Sequence, residues 1–394
     1  MQSLALTTLR ELAARCGLSV LGVTGANELQ ADLGRLQSWQ ERGLAAGMTY
    51  MLRPPELLAN PAVVVPGARS VITVALFYDR TPVGPPPAGH GRVARYAWGR
   101  DYHKVLRKRL GALVDLIRAE VGTALEARVF SDSVPLLERA LARRAGLGFV
   151  GKSSMLIIPG KGTFFFLGEL LSNLEVQLDE PTPTAEPRGG HCGSCKSCLI
   201  ECPTQAFVGE RVLDAGRCIS YLTIEKRGAL VEAERRMIGD WLFGCDVCQE
   251  VCPFNFVSLK KGRGAEVPEL GAGAGVGPWL PLRELLSIRD TASFERRFSG
   301  TALMRAKREG LLRNAAIVAA NSRAEALEAE LLAASLEDSS AVVRQHALWS
   351  YVELVKDAGS SGAALAVGRL RKALDDPDRA VVAEAEGLLS RLPN

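Results

Sequence analysis

Two cysteine-rich stretches set the architecture of this 394-residue chain: CGSCKSCLIECP at residues 192–203 and CDVCQEVCP at residues 245–253. The first has the spacing C-x2-C-x2-C-x3-C-P. In bacterial ferredoxins this spacing lets three neighbouring thiolates hold one four-iron cluster while the fourth reaches a second cluster. The second stretch lacks a leading cysteine at the usual spacing, and Cys218 upstream completes its set of four. The sequence therefore predicts a two-cluster, ferredoxin-like domain.

The crossover pattern divides the eight cysteines into two sets of cluster ligands. We expect the first set to be Cys192, Cys195, Cys198 and Cys252, and the second to be Cys202, Cys218, Cys245 and Cys248. Zinc is the competing interpretation, because C-x2-C pairs are common in zinc sites, but zinc has no need of an x3-C-P ending that occurs twice. The ninth cysteine, Cys16, lies on the apolar face of a predicted helix and reads as a small core residue.

The composition excludes several classes of protein. Apolar residues make up 47% of the chain and charged residues 23%, so a large core can form, and a net charge of +4 indicates no strongly basic or acidic protein. No apolar run reaches the roughly 18 residues of a membrane span, and Glu169 interrupts even FFFLGELLSNL. Arg10 and Glu11 lie where a signal peptide would be apolar, so we expect a cytoplasmic protein whose clustered cysteines bind metal.

The first 180 residues alternate between helical and strand-like patterns, which favours an α/β (α+β) fold. The predicted strands are SVLGVT at 19–24, SVITVAL at 70–76 and ARVF at 127–130. The predicted helices are one at 9–16, one between 101 and 121, and one that begins within Ser131 to Ser133, carries Pro135 in its first turn and ends at Gly146.

Composition breaks divide the chain into four predicted segments. These are an α/β domain at 1–180, the cluster domain at 181–259, a linker and helical connection at 260–300, and α-helical repeats at 301–394. The breaks are PTPTAEPRGG at 181–190 and KKGRGAEVPELGAGAGVGP at 260–278. In the last segment, LEDSSAVVRQHA at 336–347 resembles LDDPDRAVVAEA at 374–385, and this spacing is typical of HEAT-like repeats. An ordinary small helical bundle is the alternative.

Five stretches outside the first cysteine run identify a family. They are RYAWGRDYHKVL at 95–106, DSVPLLERALARRAGLGFVGKSSMLI at 132–157, GTFFFLGELL at 162–171, CISYLTIEKRG at 218–228 and GCDVCQEVCPFN at 244–255. With them the chain resembles the epoxyqueuosine reductases, cobalamin-dependent iron–sulfur enzymes of tRNA modification. The resemblance implies reduction of the epoxide of epoxyqueuosine to the cyclopentene of queuosine at the wobble position of the anticodon. It also implies cobalamin in the N-terminal domain, supplied with electrons by the clusters.

The resemblance assigns the proton donor to Asp132, within the pattern D-S-x-P-x-x-E-R. The sequence predicts that Asp132 lies where a strand passes into a helix, and a helix N-terminus stabilises a carboxylate, whereas a general acid must keep its proton. Desolvation would have to outweigh the helix dipole. A simple N-cap is the alternative role for Asp132.

The resemblance also implies a set of cobalamin contacts: Arg53, Tyr96, Asp132, Lys152 and Ser153, with Ser220, Tyr221 and Asp246 from the cluster domain. A D-x-H-x-x-G motif, in which histidine ligates cobalt, begins at Asp101 but has leucine at position 106. We therefore expect His103 to form a local hydrogen bond and not to ligate cobalt.

A tRNA substrate must be held mainly through its phosphates. The candidate contacts are Lys226, Arg227 and Arg344, together with a basic run between Arg92 and Arg109, which could also be an ordinary solvated helix face. We expect a monomer and an unidentified low-potential electron donor. Two other functions remain open at this stage: a corrinoid reductive dehalogenase, although the twin-arginine signal usual there is absent, and a non-catalytic two-cluster electron-transfer protein.

Overall fold

The computed structural model describes residues 3–177, 191–260, 263–356 and 359–392. The strands are β1 (Ser3–Ala5), β2 (Val20–Gly25), β3 (Ser70–Phe77), β4 (His90–Val93), β5 (Ala127–Phe130), β6 (Phe149–Val150), β7 (Leu156–Ile157), β8 (Phe165–Ser172), β9 (Glu175–Gln177), β10 (Phe207–Gly209), β11 (Val212–Leu213), β12 (Trp241–Phe243) and β13 (Trp279–Pro281). The predicted break at 181–190 lies outside the described residues.

The α-helices of the described residues are α1 (Leu6–Arg15), α2 (Gln30–Glu41), α3 (Pro55–Ala59), α4 (Pro61–Val64), α5 (Tyr102–Val121), α6 (Glu138–Arg144), α7 (Ser197–Ile200), α8 (Glu232–Met237), α9 (Val247–Glu250), α10 (Pro253–Lys260), α11 (Leu282–Leu286), α12 (Thr291–Phe298), α13 (Lys307–Asn321), α14 (Glu328–Glu337), α15 (Ala341–Val355), α16 (Gly359–Ala373) and α17 (Arg379–Leu389). None of the helices within these ranges is long and apolar enough to cross a membrane.

The chain folds into two compact units that interleave along the sequence. The first comprises Met1–Pro82, Gly99–Gly216 and Asp246–Gly275. The second comprises Val83–Trp98, Arg217–Cys245 and Val276–Asn394. This division differs from the four consecutive segments expected from composition, because β4 belongs to the second unit, where it pairs with β12 and β13.

The first unit is built around a four-stranded antiparallel sheet in the order β2-β3-β8-β5. All eight residues of β3 are buried, as expected of a central strand covered on both faces. The predicted strands at 19–24, 70–76 and 127–130 are confirmed, and so are the predicted helices that became α1 and α5. The apolar periodicity of these segments was sufficient to identify them.

Side-chain alternation along β8 directs two neighbouring residues to opposite faces of this sheet. A Cβ atom at Gly168 would lie 2.9 Å from the Leu110 side chain of α5, so this position faces α5. Glu169 therefore projects from the other face. On that face α6 packs through Ala142 against β3, in an apolar cluster that includes Phe77.

Two sequence expectations for the first unit are wrong. The helix expected from residues 131–133 begins only at Glu138, because Asp132 has a left-handed backbone (φ +49°) that cannot continue into a right-handed helix. The second wrong expectation is that the segment 263–275 belongs to a linker. It packs by its buried Val267 and Leu270 and is tied to the sheet by the Glu266 N–H, which donates to the Phe77 carbonyl over 3.1 Å.

The second unit surrounds helix α13, which is buried along most of its length. α13 packs on β12 and β4 of a three-stranded sheet in the order β12-β4-β13, and also on α11 and α15. Strand β13 lies in the segment 260–300, which the sequence predicts to be a linker and helical connection without strands. Its three residues are too few to show a period, and pairing with β4 defines them.

The C-terminal part of the second unit is α-helical from Leu282 onward, as expected. The two similar sequences occupy equivalent positions at the starts of α15 and α17. The Ser340 hydroxyl accepts from the Val343 N–H, and the Asp378 carboxylate accepts from the Ala380 N–H. The resemblance between the two stretches thus reflects helix capping followed by the same apolar pattern.

Two fully buried polar residues of α13 fix the turn at residues 222–228. The Arg313 guanidinium donates to the carbonyls of Leu222, Lys226 and Gly228 over 2.7, 2.9 and 2.8 Å. The Asn314 amide donates to the carbonyls of Thr223 and Leu242 over 2.8 and 3.0 Å. Burial lowers the pKa of Arg313 to about 10, so the guanidinium stays charged at neutral pH.

We expect Asn314→Ala to lower the free energy of unfolding by about 2 to 4 kcal/mol, because two buried carbonyls lose their donor. Urea unfolding followed by circular dichroism measures the change. The exposed Asn27→Ala is the control and should stay close to the wild type. Equal stability of the two variants would contradict the anchoring role of Asn314.

Candidate active site and iron–sulfur centre

Four cysteines of the first unit surround one cavity of about 310 Å³: Cys192, Cys195, Cys198 and Cys252. Burial, and then the charges of the three neighbouring sulfurs, raise the pKa of the Cys198 thiol to about 11. Thiols placed in this way ionise together only around a strongly positive centre. Among the described residues, no three His, Cys, Asp or Glu side chains are placed as ligands of a single metal ion. The convergence of four thiols around a cavity fits the first predicted cluster set.

The Cys252 arm comes from a distant part of the chain and is held by one asparagine. The fully buried Asn255 accepts from the Thr163 N–H over 2.8 Å and donates to the Gln249 carbonyl over 2.7 Å. Gly162 makes this approach possible, because it has φ +93° and a Cβ atom there would lie 2.0 Å from the Asn255 oxygen. The C-P-F-N sequence therefore combines a ligand with its own anchor.

Lys152 and Ser153, expected from the family to contact cobalamin, line the same cavity. The Lys152 N–H donates to the Cys192 sulfur over 3.4 Å. Its ammonium group lies 2.9 Å from both the Gly193 carbonyl and the Glu210 carboxylate. Lys152 thus belongs structurally to the wall of the first cluster site.

The four cysteines expected to hold the second cluster are divided between the two units. Cys202 and Cys248 belong to the first unit, and Cys218 and Cys245 to the second. Within the first unit, the Cys202 sulfur accepts from the Ala206 N–H over 3.4 Å, as cluster thiolates commonly do. None of the nine cysteines, all of which lie in described ranges, forms a disulfide.

Asp132 lies just after β5, in a turn that other residues hold in place. The Tyr102 hydroxyl donates to Asp132 Oδ2 over 2.7 Å. The Asp132 N–H donates to Glu138 Oε1 over 2.6 Å. The Tyr102 ring lies flat on Phe166, with ring centroids 4.1 Å apart. The expected conflict with a helix N-terminus therefore does not arise, since α6 begins six residues later.

Two further carboxyl groups lie behind Asp132. Burial, and then the charge of Asp132, raise the pKa of Glu138 to about 7. Glu169 is fully buried, and burial followed by the charge of Glu138 raises its pKa well above the ordinary value. The Glu138 and Glu169 carboxyls are close enough to interact, but neither Glu169 oxygen has a well-formed hydrogen bond within the described part of the chain. In the sequence neither residue has an assigned role, because Glu138 is one position of the D-S-x-P-x-x-E-R pattern and Glu169 is a single charge in an apolar stretch.

Arg139 links the turn of Asp132 to the wall of the cluster site. Its guanidinium donates to the Ser154 carbonyl over 2.6 Å, directly after Lys152 and Ser153. Asp132 and Arg139 are both solvent-accessible, yet burial lowers the pKa of Arg139. A deep recess explains both observations, because its lining is open to water and still surrounded by protein. A concave, accessible surface with a carboxyl group and a guanidinium in its lining is the kind of site that binds a cofactor.

The remaining residues expected to contact cobalamin are dispersed over both units. Arg53 is exposed and Asp246 is buried in the first unit, where the Asp246 carboxylate accepts from Gln249. Tyr96 packs against Phe243 in the second unit, which also holds Ser220 and Tyr221. His103 forms the local hydrogen bond that the sequence predicts, with Nδ1 2.8 Å from Asp101.

The residues expected to contact tRNA phosphates are already engaged within the second unit. Lys226 is paired with Glu234 (2.5 Å), and Arg227 donates to the Arg305 carbonyl over 2.8 Å. Arg344 forms a bidentate pair with Asp376, both distances being 2.8 Å, and is only 9% exposed. Arg344 therefore stabilises the fold by pairing with Asp376, and we no longer expect it to contact phosphate.

Part of the basic run expected from sequence is structural as well. Arg92 pairs with Asp240, Arg95 is buried against Trp98, and Arg109 donates to the Cys16 carbonyl. Four exposed cations remain, for which no ion pair is recorded among the described residues: Arg100, Lys104, Arg107 and Lys108. The last three share one face of α5, since they lie three and four residues apart. We call these four residues the α5 basic stripe.

A ferredoxin-type cysteine site and an acid-bearing recess within one compact unit define an iron–sulfur oxidoreductase. The chain belongs to the epoxyqueuosine reductase family. It is 40% identical over 354 residues to the epoxyqueuosine reductase of Xanthomonas campestris pv. campestris, covering 89% of this chain and 96% of that protein. Residues 191–255 match the family model of the 4Fe-4S double cluster binding domain, and residues 59–133 match the model described as Epoxyqueuosine reductase QueG, DUF1730.

Solved structures agree with this assignment. One is an epoxyqueuosine reductase crystallised with an epoxyqueuosine-modified tRNA-Tyr stem loop. It is 28% identical to this chain, the TM-score is 0.85, and the match covers 98% of each chain. The epoxyqueuosine reductase of Bacillus subtilis was solved with its catalytic loop, which carries an aspartate, swung out of the active site. It is 27% identical to this chain, with a TM-score of 0.82 and 98% coverage of both chains. The chain is thus an oxidoreductase with a two-cluster iron–sulfur domain, as the sequence predicts.

We expect Cys198→Ser to lower the iron content of the anaerobically reconstituted protein from about eight to about four atoms per chain, because one of two four-iron clusters loses a ligand. Iron and acid-labile sulfide analysis measures this. Cys16→Ser is the matched control and should retain about eight atoms. Unchanged iron in Cys198→Ser, with a native circular dichroism spectrum, would contradict the ligand assignment.

Proposed function

We propose that this chain reduces epoxyqueuosine to queuosine in tRNA anticodons, with Asp132 as the proton donor. The observation that carries the proposal is the position of Asp132, held between the Tyr102 hydroxyl and the Glu138 carboxyl at the edge of an open recess. Support comes from the relatives named epoxyqueuosine reductase and from the relative crystallised with a modified stem loop. The aspartate loop of the Bacillus subtilis enzyme, called catalytic there, supports the role of Asp132.

The reaction takes two electrons and two protons, converts an epoxide into an alkene and releases water. When bound, cobalamin supplies the reduction at the epoxide carbon, with electrons delivered singly through the clusters. We propose that the residues implied by the family resemblance hold the cobalamin: Arg53, Tyr96, Asp132, Lys152, Ser153, Ser220, Tyr221 and Asp246. We also propose that Cys202, Cys218, Cys245 and Cys248 hold the second cluster, as the crossover pattern of two-cluster ferredoxins predicts.

The chain's own contribution is to hold a proton at a defined atom. Tyr102 fixes one oxygen of Asp132, so the proton is presented on the other, Oδ1. The left-handed turn keeps the carboxyl at the surface of the recess, and aspartate tolerates this conformation better than most residues. A general acid positioned in this way protonates the epoxide oxygen as its C–O bond breaks.

We expect Asp132→Asn to lower kcat by about 10²- to 10⁴-fold, because the amide cannot donate the proton. Asparagine also tolerates the left-handed turn, so iron and cobalamin contents should stay at wild-type values. The measurement is conversion of epoxyqueuosine to queuosine in a synthetic anticodon stem loop, analysed by mass spectrometry of the nucleosides. Asp115→Asn, an exposed carboxylate of α5, is the control, and normal turnover by Asp132→Asn would refute its role.

For the tRNA itself, the α5 basic stripe is a better candidate than Lys226, Arg227 or Arg344. Its four side chains are exposed and have no recorded ion pair among the described residues, whereas the other three are already engaged. A local stripe also agrees with the small net charge of +4, because phosphate binding then needs only one face.

We expect the triple variant Lys104→Gln, Arg107→Gln, Lys108→Gln to reduce the slope of log affinity against log salt by about two, because up to three phosphate contacts are lost. Fluorescence anisotropy of a labelled stem loop at several salt concentrations measures the slope. Arg371→Gln with Lys372→Gln, two exposed cations of α16, is the matched control. An unchanged slope would show that these three residues of α5 do not contact phosphate.

We also propose HEAT-like pairing of α14 with α15 and of α16 with α17, since both second helices begin at equivalent caps. The sequence further suggests a cytoplasmic monomer that receives electrons from a low-potential donor. Analytical ultracentrifugation tests the monomer.

A further inference from the structure

The proposed reaction consumes two protons, but Asp132 can hold only one. The second must reach the leaving oxygen before it departs as water. Glu138 and Glu169 lie directly behind Asp132 and have no part in the chemistry described above. The inference that follows rests on the proposed function and extends it to the source of the second proton.

Glu138 is attached to Asp132 through the backbone. Its Oε1 accepts the Asp132 N–H over 2.6 Å, so the two carboxyl groups are neighbours. Arg139, the next residue, interacts with both acids while donating to the Ser154 carbonyl over 2.6 Å. Glu138 is therefore placed to exchange a proton with Asp132 and is kept there by the fold.

Glu169 lies deeper, in the middle of β8. It is opposite Thr73 of β3 and Phe130 of β5 in the sheet and is 0% exposed. Within the described ranges neither oxygen has a well-formed hydrogen bond, and the side chain with which it interacts is Glu138. The charged groups that face it, Glu138 and Asp132, are both acidic. A carboxylate buried beside like charges is unfavourable, so Glu169 carries a proton.

We propose that Glu138 and Glu169 hold the second proton of the reaction and that Glu138 passes it to Asp132 within one turnover. Asp132 first gives its own proton to the epoxide oxygen as the C–O bond breaks. The resulting carboxylate takes the stored proton and delivers it to the same oxygen, which leaves as water. The two electrons come through the iron–sulfur clusters, so the sum is epoxide, two electrons and two protons giving alkene and water. Both glutamates act through Asp132 and are positioning residues.

The pair should give the reaction a recognisable pH dependence. The titratable and charged groups around it are Asp132, Arg139, Tyr102 and the two glutamates themselves. Because the pKa of Glu138 is raised to about 7, Glu138 holds its proton below that pH and loses it above. Turnover that uses the stored proton should therefore decline as the pH rises through 7.

The test uses the holoenzyme with both clusters and cobalamin bound. Glu138→Gln keeps an oxygen that can accept the Asp132 N–H but cannot carry a proton. Glu169→Gln removes the deeper acid with little change in shape, and Glu175→Gln, an exposed glutamate of β9, is the matched control. The readouts are kcat and KM from about pH 6 to about pH 8 and the infrared absorption of protonated carboxyl groups over the same range.

We expect Glu138→Gln to lower kcat roughly tenfold at about pH 6 and less than about twofold at about pH 8, with KM unchanged, because Glu138 has already lost its proton at the higher pH. Glu169→Gln should shift the alkaline limb of the profile to higher pH, since the interaction with the neutral Glu169 acid lowers the pKa of Glu138 and the amide replaces it only weakly. The infrared signal that titrates near pH 7 in the wild type should be absent from Glu138→Gln. Glu175→Gln should match the wild type.

An equal loss of kcat at both pH values, or a wild-type profile in both variants, would overturn the inference and leave the proposed function standing. If Glu169→Gln fails to fold, Glu138→Gln decides the question alone, with its cofactor content as the check on folding. A different outcome would overturn the proposed function itself: a wild-type protein that converts no epoxyqueuosine at any pH, although the infrared signal titrates as expected. In that case Glu138 would still hold a proton, but the proton would have no part in this reaction.

Discussion

The convergence of four thiols on one cavity is the constraint on which the first unit depends. Three of the thiols lie within seven residues of one another, whereas Cys252 arrives from a segment more than fifty residues away. Ionised sulfurs repel one another, so this arrangement is stable only when the two segments are held together around a positive cluster. The chain meets the requirement with Asn255, which fixes the Cys252 arm to Thr163, and with Gly162, which leaves room for it.

The loop that carries Lys152 connects this centre to the proton chemistry. Its backbone touches Cys192 on one side, and two residues later the Ser154 carbonyl receives Arg139, the neighbour of Glu138. Electron-delivering and proton-donating groups are thus joined through one short segment of the first unit.

Charge in this protein is used mostly for internal structure. Arg313 is buried and donates to backbone carbonyls, and Arg344, a candidate for phosphate binding in the sequence, is paired with Asp376. A basic residue in a helical repeat can either bind phosphate or form contacts inside the fold. The sequence does not show which carbonyl or carboxylate it contacts. The α5 basic stripe is distinguished only after the paired arginines on either side of it have been identified.

The sequence by itself predicted the two sets of cysteine ligands, the central strands of the sheet and helix α5, because these depend on local spacing and on apolar periodicity. Asp132 was found through the family resemblance. The sequence did not determine the start of α6 or the short strand β13, since a left-handed residue and a three-residue pairing leave no periodic signal. Only the tertiary structure decided that Glu169 would face Glu138 and Asp132. In the sequence Glu169 was a single charge in an apolar strand, and its role depends on the face of the sheet on which it lies and on the helix packed there.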